Sequence, residues 1–186
     1  MQGSFPFLTE TDAAAAGEGA AAPPLVEIPA GHIAAIYISP GHNYFGRWGQ
    51  MPGTSEIRQV TEVECVAGAG LVGDRFFKYK PDYKGQITFF AKEIHDEICD
   101  SLGVSHLPPS IYRRNVITLG LDLNALIDKY FRIQGCIFRG TSECKPCAWM
   151  DQAVAPGAEA FLKGRGGLRA TIRQGGILRC DVKGTA

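Results

Sequence analysis

Cys144 and Cys147, in the run Gly140-Thr141-Ser142-Glu143-Cys144-Lys145-Pro146-Cys147, are the residues of this chain best suited to chemistry. A thiolate binds soft or borderline metals, or attacks an electrophile, when nearby positive charge or the metal itself lowers its pKa. Lys145 lies between the two thiols, and Arg113, Arg114, Arg165, Arg169 and Arg173 could converge on them. Turn-prone residues make the run a loop that presents sulfur after a strand. Structural zinc needs four ligands, usually two spaced pairs; with no second C-x-x-C pair, zinc would have to recruit Cys136 or Cys180. Thiol-disulfide exchange suits the form Cys-Lys-Pro-Cys, yet its usual place is the strand-to-helix turn of a βαβ unit, and these surroundings read as β-rich. Ligation of a redox cofactor by one cysteine is the third reading, beside two ordinary loop cysteines.

Three further constellations carry polar chemistry. In Tyr112-Arg113-Arg114-Asn115, read as the entrance to a strand, alternation places Arg113 and Asn115 on one face. Arginine offers a planar fork for phosphate, and asparagine a donor and an acceptor for the edge of a heterocycle. In Gly164-Arg165-Gly166-Gly167-Leu168-Arg169 the glycines permit close backbone approach and an anion-binding nest, or a plain turn. Gly70-Leu71-Val72-Gly73-Asp74-Arg75 is a glycine-bracketed turn ending in a charged pair. The histidines, at 32, 42, 95 and 106, have no metal-ligand spacing, and His95 is expected at the surface or the edge of the core. No glycine pattern for flavin, nicotinamide or nucleoside triphosphate occurs in a strand-turn-helix context, and no lysine has a case for a Schiff base with pyridoxal phosphate.

The elements that must position these residues are short. Apolar runs predict strands at residues 33–39, 60–66, 86–90, 115–119 and 131–138. Residues 92–102 place Ile94, Ile98 and Leu102 on one helical face, with Gly103 as a stop. Short helices or turns are expected at 123–129 and 158–163, a long loop at 41–53, and a closing hairpin of 168–173 with 177–182. Six or seven short strands with two or three short helices, lacking βαβ alternation, predict a mainly β fold with helical insertions (α+β), a barrel fitting best. Residues 1–24, rich in alanine, glycine and proline, read as a flexible tail ahead of one domain at 25–186.

The chain has 186 residues, with 19 Lys and Arg against 19 Asp and Glu, so it has no global field to concentrate it on nucleic acid or an anionic membrane. No apolar run reaches the roughly 18 residues of a membrane span, and no basic start opens a signal peptide, which makes a cytoplasmic location the expectation. Six cysteines are too few and too scattered to serve as a disulfide framework, and Cys65, Cys99, Cys136 and Cys180 sit among apolar neighbours.

Taken in order, Gly70 to Arg75, Arg113-Arg114-Asn115-Val116 with Gly120-Leu121-Asp122-Leu123, Cys144-Lys145-Pro146-Cys147, and Gly164 to Arg169 resemble the MOSC family, named for the C-terminal domain of molybdenum-cofactor sulfurase. The resemblance covers most of residues 32–182 and is to the small stand-alone bacterial type. It implies a β-barrel-like fold of the pyruvate-kinase type and a molybdenum cofactor (molybdopterin). It assigns Cys147 as catalytic residue and metal ligand, Cys144 as an accessory, and Arg113 and Asn115 as contacts of the pterin. Arg75, Thr141, Arg165 and Arg169 complete the cofactor-binding set it implies. The implied activity is two-electron reduction of N-hydroxylated small molecules at a Cys-ligated molybdenum. The rival is a sulfur carrier holding persulfide on Cys147 for a partner. No cysteine desulfurase domain, iron–sulfur motif or separate N-terminal barrel accompanies these motifs, so a separate electron-donor protein or sulfur donor is the expected partner, alongside a homodimer.

Overall fold

The computed structural model describes residues 24–43, 51 and 53–182. The expected tail at 1–24 lies almost wholly outside these, as does much of the expected loop at 41–53. Eleven strands form two sheets among the described residues. The larger holds β1 (Leu25–Ile28), β8 (Tyr130–Ile133), β9 (Cys136–Glu143), β10 (Leu168–Gln174), β6 (Ile87–Ala91), β7 (Val116–Thr118), β2 (Ile33–Ile38) and β3 (Arg58–Val60), in that spatial order. The smaller holds β11 (Gly176–Arg179), β4 (Glu62–Val66) and β5 (Gly70–Leu71). Pairs β1/β8 and β6/β7 are parallel and the others antiparallel. The mainly β reading with helical insertions stands, but the expected barrel is corrected: both sheets are open, ending on β1 and β3 in one and on β11 and β5 in the other.

One core lies between the sheets. Ile36, Phe89, Phe131 and Phe138 of the large sheet meet Val63, Cys65, Leu71 and Leu178 of the small one. The rings of Phe89, Phe131 and Phe138 pack in a triangle with centroids 5.4 to 5.7 Å apart, the separation aromatic pairs prefer. A second cluster covers the other face of the large sheet, where Ala35, Tyr37, Phe90 and Ile117 receive helices α1 (Lys92–Leu102), α2 (Trp149–Ala153) and α3 (Ala158–Phe161). Helix α1 has the expected bounds and stops at Gly103, whose left-handed φ of 61° turns the chain while Val104 N–H donates to Cys99 O. His95 joins its inner face, 8 % exposed, its Nδ1 lying 3.1 Å from the Tyr112 hydroxyl.

Three expected elements change. The single strand at 60–66 is two, because the chain bends at Thr61 and passes from the large sheet into the small one. The single strand at 131–138 is a hairpin, turned by Gln134 and Gly135 at φ of 48° and 83°, the left-handed pair of a tight two-residue connection. The closing hairpin is absent: β10 pairs with β9 and β6, while β11 crosses to β4. Gly175 makes that crossing, where a Cβ would overlap the Cys65 carbonyl oxygen.

The ends of the described chain are stapled by Asp181, whose carboxylate accepts from Gly31 N–H, Ile33 N–H and Gln134 Nε2. Burial works to raise its pKa, but these hydrogen bonds, with His32 nearby, outweigh it and hold the group below the ordinary aspartate value.

Candidate functional site

Where the ends of β6, β7 and β10 meet the turn after β5, a cavity of about 160 Å³ opens, lined by four arginines, Arg75, Arg113, Arg114 and Arg169. Cys144, His42, Tyr83 and Thr88 line it with them. The separate motifs of the sequence thus supply one concavity, because the order of strands in the large sheet brings β7, β6 and β10 side by side.

A buried polar knot fixes the arginines. Asp74, 6 % exposed, accepts from Ser39 N–H, Phe76 N–H and Asn115 Nδ2, and pairs with Arg75 Nη1 at 3.3 Å. Arg75 also donates to Arg113 O at 3.4 Å and stacks over the Phe76 ring at 4.9 Å. The expectation that Arg113 and Asn115 alternate on one strand face is corrected. Arg113 adopts a left-handed φ of 57° at the end of a 3-10 turn, Pro109–Tyr112, and the strand begins only at Val116. Asn115 turns inward, 4 % exposed: its Oδ1 accepts from the Thr88 N–H and hydroxyl at 3.1 and 2.8 Å, and its Nδ2 donates to Tyr37 O and Asp74 at 3.3 and 3.2 Å. Those four bonds use the full capacity of the amide. Asn115 therefore braces the arginine cluster from behind.

The cysteine loop is seated by Arg114 and two glycines. Strand β9 runs on to Glu143, so the expected loop at 140–147 is shorter and starts at Cys144. Cys144 N–H donates to Gly167 O at 2.7 Å. Arg114 spreads its guanidinium over three carbonyls, those of Tyr112 (2.9 Å), Gly166 (3.1 Å) and Cys144 (3.1 Å). A Cβ at Gly166 would overlap Cys144 O, and one at Gly167 would overlap Phe89 O. The glycines of the 164–169 motif thus give close backbone approach, to the cysteine loop on one side and to β6 on the other.

Of the other expected site residues, Arg169 lines the cavity, whereas Arg165 bonds to Glu97 at 2.7 Å, stacks on Phe161 at 4.1 Å, and borders a different hollow beside Gly120 and Leu121. Thr141 ties neighbouring backbone, its hydroxyl 2.7 Å from Lys84 O and 3.1 Å from Arg169 O. Cys144 is fully buried in the cavity wall. Cys147 is half-buried, follows Pro146 into the turn before α2, and packs against the second core cluster. Sequence reasoning passed over His42 and Tyr83, which sit in segments without periodicity. Burial, then Arg75 and Arg113, lower the His42 pKa against the pull of Asp74. Burial raises that of Tyr83, against the pull of Arg169.

Among the described residues, no three His, Cys, Asp or Glu side chains gather where they could hold a metal ion, and no helix is long and apolar enough to cross a membrane. The site gathers four arginines in one cavity beside a thiol-bearing loop.

The fold is shared with known proteins. The YuaD protein from Bacillus subtilis has a similar fold, with a TM-score of 0.60 at 18 % identity over 80 % of this chain and 91 % of that one. YiiM from Geobacillus stearothermophilus is similar at a TM-score of 0.58 and 11 % identity, over 80 % of this chain and 71 % of that one. No curated protein sequence matches the chain. The profile of the MOSC domain matches residues 74–185, a span that contains all four cavity arginines and both loop cysteines, and the chain belongs to the MOSC domain family.

Proposed function

We propose that the chain binds a molybdenum cofactor and uses it to reduce N-hydroxylated small molecules. The observation that carries this reading is the convergence of Arg75, Arg113 and Arg169 on one cavity whose wall includes a cysteine of the 144–147 loop. The donor set fits such a group. Cys144 in the cavity wall belongs to a loop that offers soft sulfur, the donor type suited to a metal whose other donors arrive with an organic cofactor. The cavity, about 160 Å³, is smaller than the roughly 300 Å³ at which pockets begin to enclose whole ligands, so it takes the anionic end of a longer molecule.

Arg75, Arg113 and Arg169 would hold the cofactor phosphate through charge-assisted hydrogen bonds. Following the family resemblance, Cys147, three residues beyond the Cys144 that lines the cavity, would supply the metal ligand. When bound, the cofactor supplies the two-electron step that converts an N-hydroxyl and two protons to an amine and water, and the protein supplies orientation and electrostatics. Electrons come in this reading from a separate donor protein.

The test is the molybdenum and pterin content of the purified chain and of Arg113→Ala. Molybdenum and pterin together in the parent are expected. A charge-assisted hydrogen bond contributes about 1.5 to 3 kcal/mol, so the variant should retain the cofactor about tenfold or more weakly. Equal occupancy in both proteins would remove Arg113 from the site. Absence of both components, with sulfane sulfur released by reductant, would replace this reading with the sulfur carrier.

A further inference from the structure

The arginine cavity also holds an imidazole placed to respond to whatever anion binds there. His42 lines the cavity with Arg75 and Arg113, and its ring stands edge-on to Phe76, centroids 5.1 Å apart at 79°. The same Phe76 ring carries the Arg75 guanidinium at 4.9 Å. One aromatic side chain therefore holds both the imidazole and a cation at the wall of one small cavity. Among the described residues, the charged and titratable groups around His42 are Asp74, Arg75 and Arg113, with Arg114, Arg169, Tyr83 and Cys144 on the remaining walls.

We propose that this cavity couples anion binding to proton uptake, His42 taking a proton when an oxyanion lies between Arg75 and Arg113. The inference rests on reading the cavity as an anion site. Without an anion, burial and the two guanidinium groups disfavour a third positive charge, and only Asp74, already engaged by Arg75 and Asn115, opposes them. An oxyanion offsets the guanidinium charges and gives an imidazole N–H an acceptor, so both terms that held the ring neutral are weakened. Linkage is reciprocal: if the anion favours the protonated ring, the protonated ring favours the anion by the same factor. In an enzyme that consumes two protons per turnover, occupation of the anion cradle would then load a proton at the site.

The experiment uses the full chain made in cells that produce no molybdopterin, with inorganic sulfate as the probe, because its charge is constant where histidine titrates. Histidine ring protons are followed by NMR against pH, with and without saturating sulfate, and His42→Gln assigns the resonance. The His42 midpoint is expected below the ordinary imidazole range without sulfate and about one pH unit higher with it. Sulfate should bind up to roughly tenfold more tightly at about pH 5 than at about pH 8, and His42→Gln should remove most of that dependence. Sulfate binding with an unmoved His42 midpoint would overturn the coupling while leaving the anion site intact. Failure of sulfate to bind at either pH would overturn the anion site and the coupling with it.

Discussion

Gly167→Ala is expected to destabilise the domain by about 3 kcal/mol or more, the sum of roughly 1 to 2 for a left-handed L-residue and 1 to 3 for overpacking. Gly167 has a φ of 97°, and a Cβ there would overlap Phe89 O while touching Phe90 Cδ2 at 3.3 Å. The obstacle is backbone of the neighbouring strand, at the start of the β10/β6 pairing, where Leu168 lies opposite Phe89. Relief requires moving β10 off β6, which also withdraws the Gly167 carbonyl from Cys144 N–H. At roughly 2 to 4 °C per kcal/mol for a domain of this size, the thermal midpoint should fall by about 10 °C. Gly164→Ala is the control, since Gly164 has a φ of 80° but nothing within 4 Å of its Cβ. It should show the backbone strain alone. Equal melting of the two variants would mean that the glycine pair is not the seat of the cysteine loop.

Asn115→Asp is the second large effect. The substitution keeps the shape of the side chain but replaces the Nδ2 donor, 3.2 Å from Asp74 Oδ2, with an acceptor. Two buried carboxylates at that distance cannot both ionise cheaply, and Tyr37 O loses its donor as well. A loss of about 3 kcal/mol is expected at neutral pH, in the range found when a buried charged network is broken. The pair's affinity for a proton is raised in the folded state relative to the unfolded one. The part of the penalty due to the two carboxylates is therefore absent below the ordinary aspartate pKa of about 4 and grows as pH rises above it. Urea unfolding of parent and variant at both ends of that window measures the gap. A variant as stable as the parent at neutral pH would show that the knot does not hold the arginines.

Much of this architecture is legible in the sequence where its cause is local. Strand β2, the junction of β6 with α1, and the stop at Gly103 follow from apolar runs, helical spacing and the freedom of glycine at positive φ. What escapes depends on partners distant in the chain. Strand β1 has only four residues and exists because it pairs in parallel with β8. The alternation of residues 60–66 continues through Thr61 without a sign that the chain changes sheets there, and Gln134-Gly135 lacks the asparagine or aspartate that usually marks such a turn. The site shows the same division. The arginine motifs are visible as motifs, and four of their members, Arg75, Arg113, Arg114 and Arg169, meet at one cavity. The shared strand face expected of Arg113 and Asn115 is not legible, because Arg113 is left-handed, the strand begins only at Val116, and Asn115 turns inward. Arg114, one of the arginines expected to converge on the thiols, is the clamp on the Cys144 carbonyl.

Ligation of molybdenum by the loop would separate its two cysteines. Serine nearly preserves size while replacing a soft thiolate with a hydroxyl of much higher pKa, so a loss of function with unchanged circular dichroism reports ligation and not packing. The decisive measurement is the rate at which cofactor-loaded parent, Cys144→Ser and Cys147→Ser reduce an N-hydroxylated base, such as a hydroxylaminopurine, with electrons supplied artificially. The account predicts that Cys147→Ser abolishes the reaction and that Cys144→Ser keeps a substantial part of it. Loss confined to Cys144→Ser, the cysteine in the cavity wall, would contradict it, as would equal loss in both variants together with a reversible intramolecular disulfide in the parent.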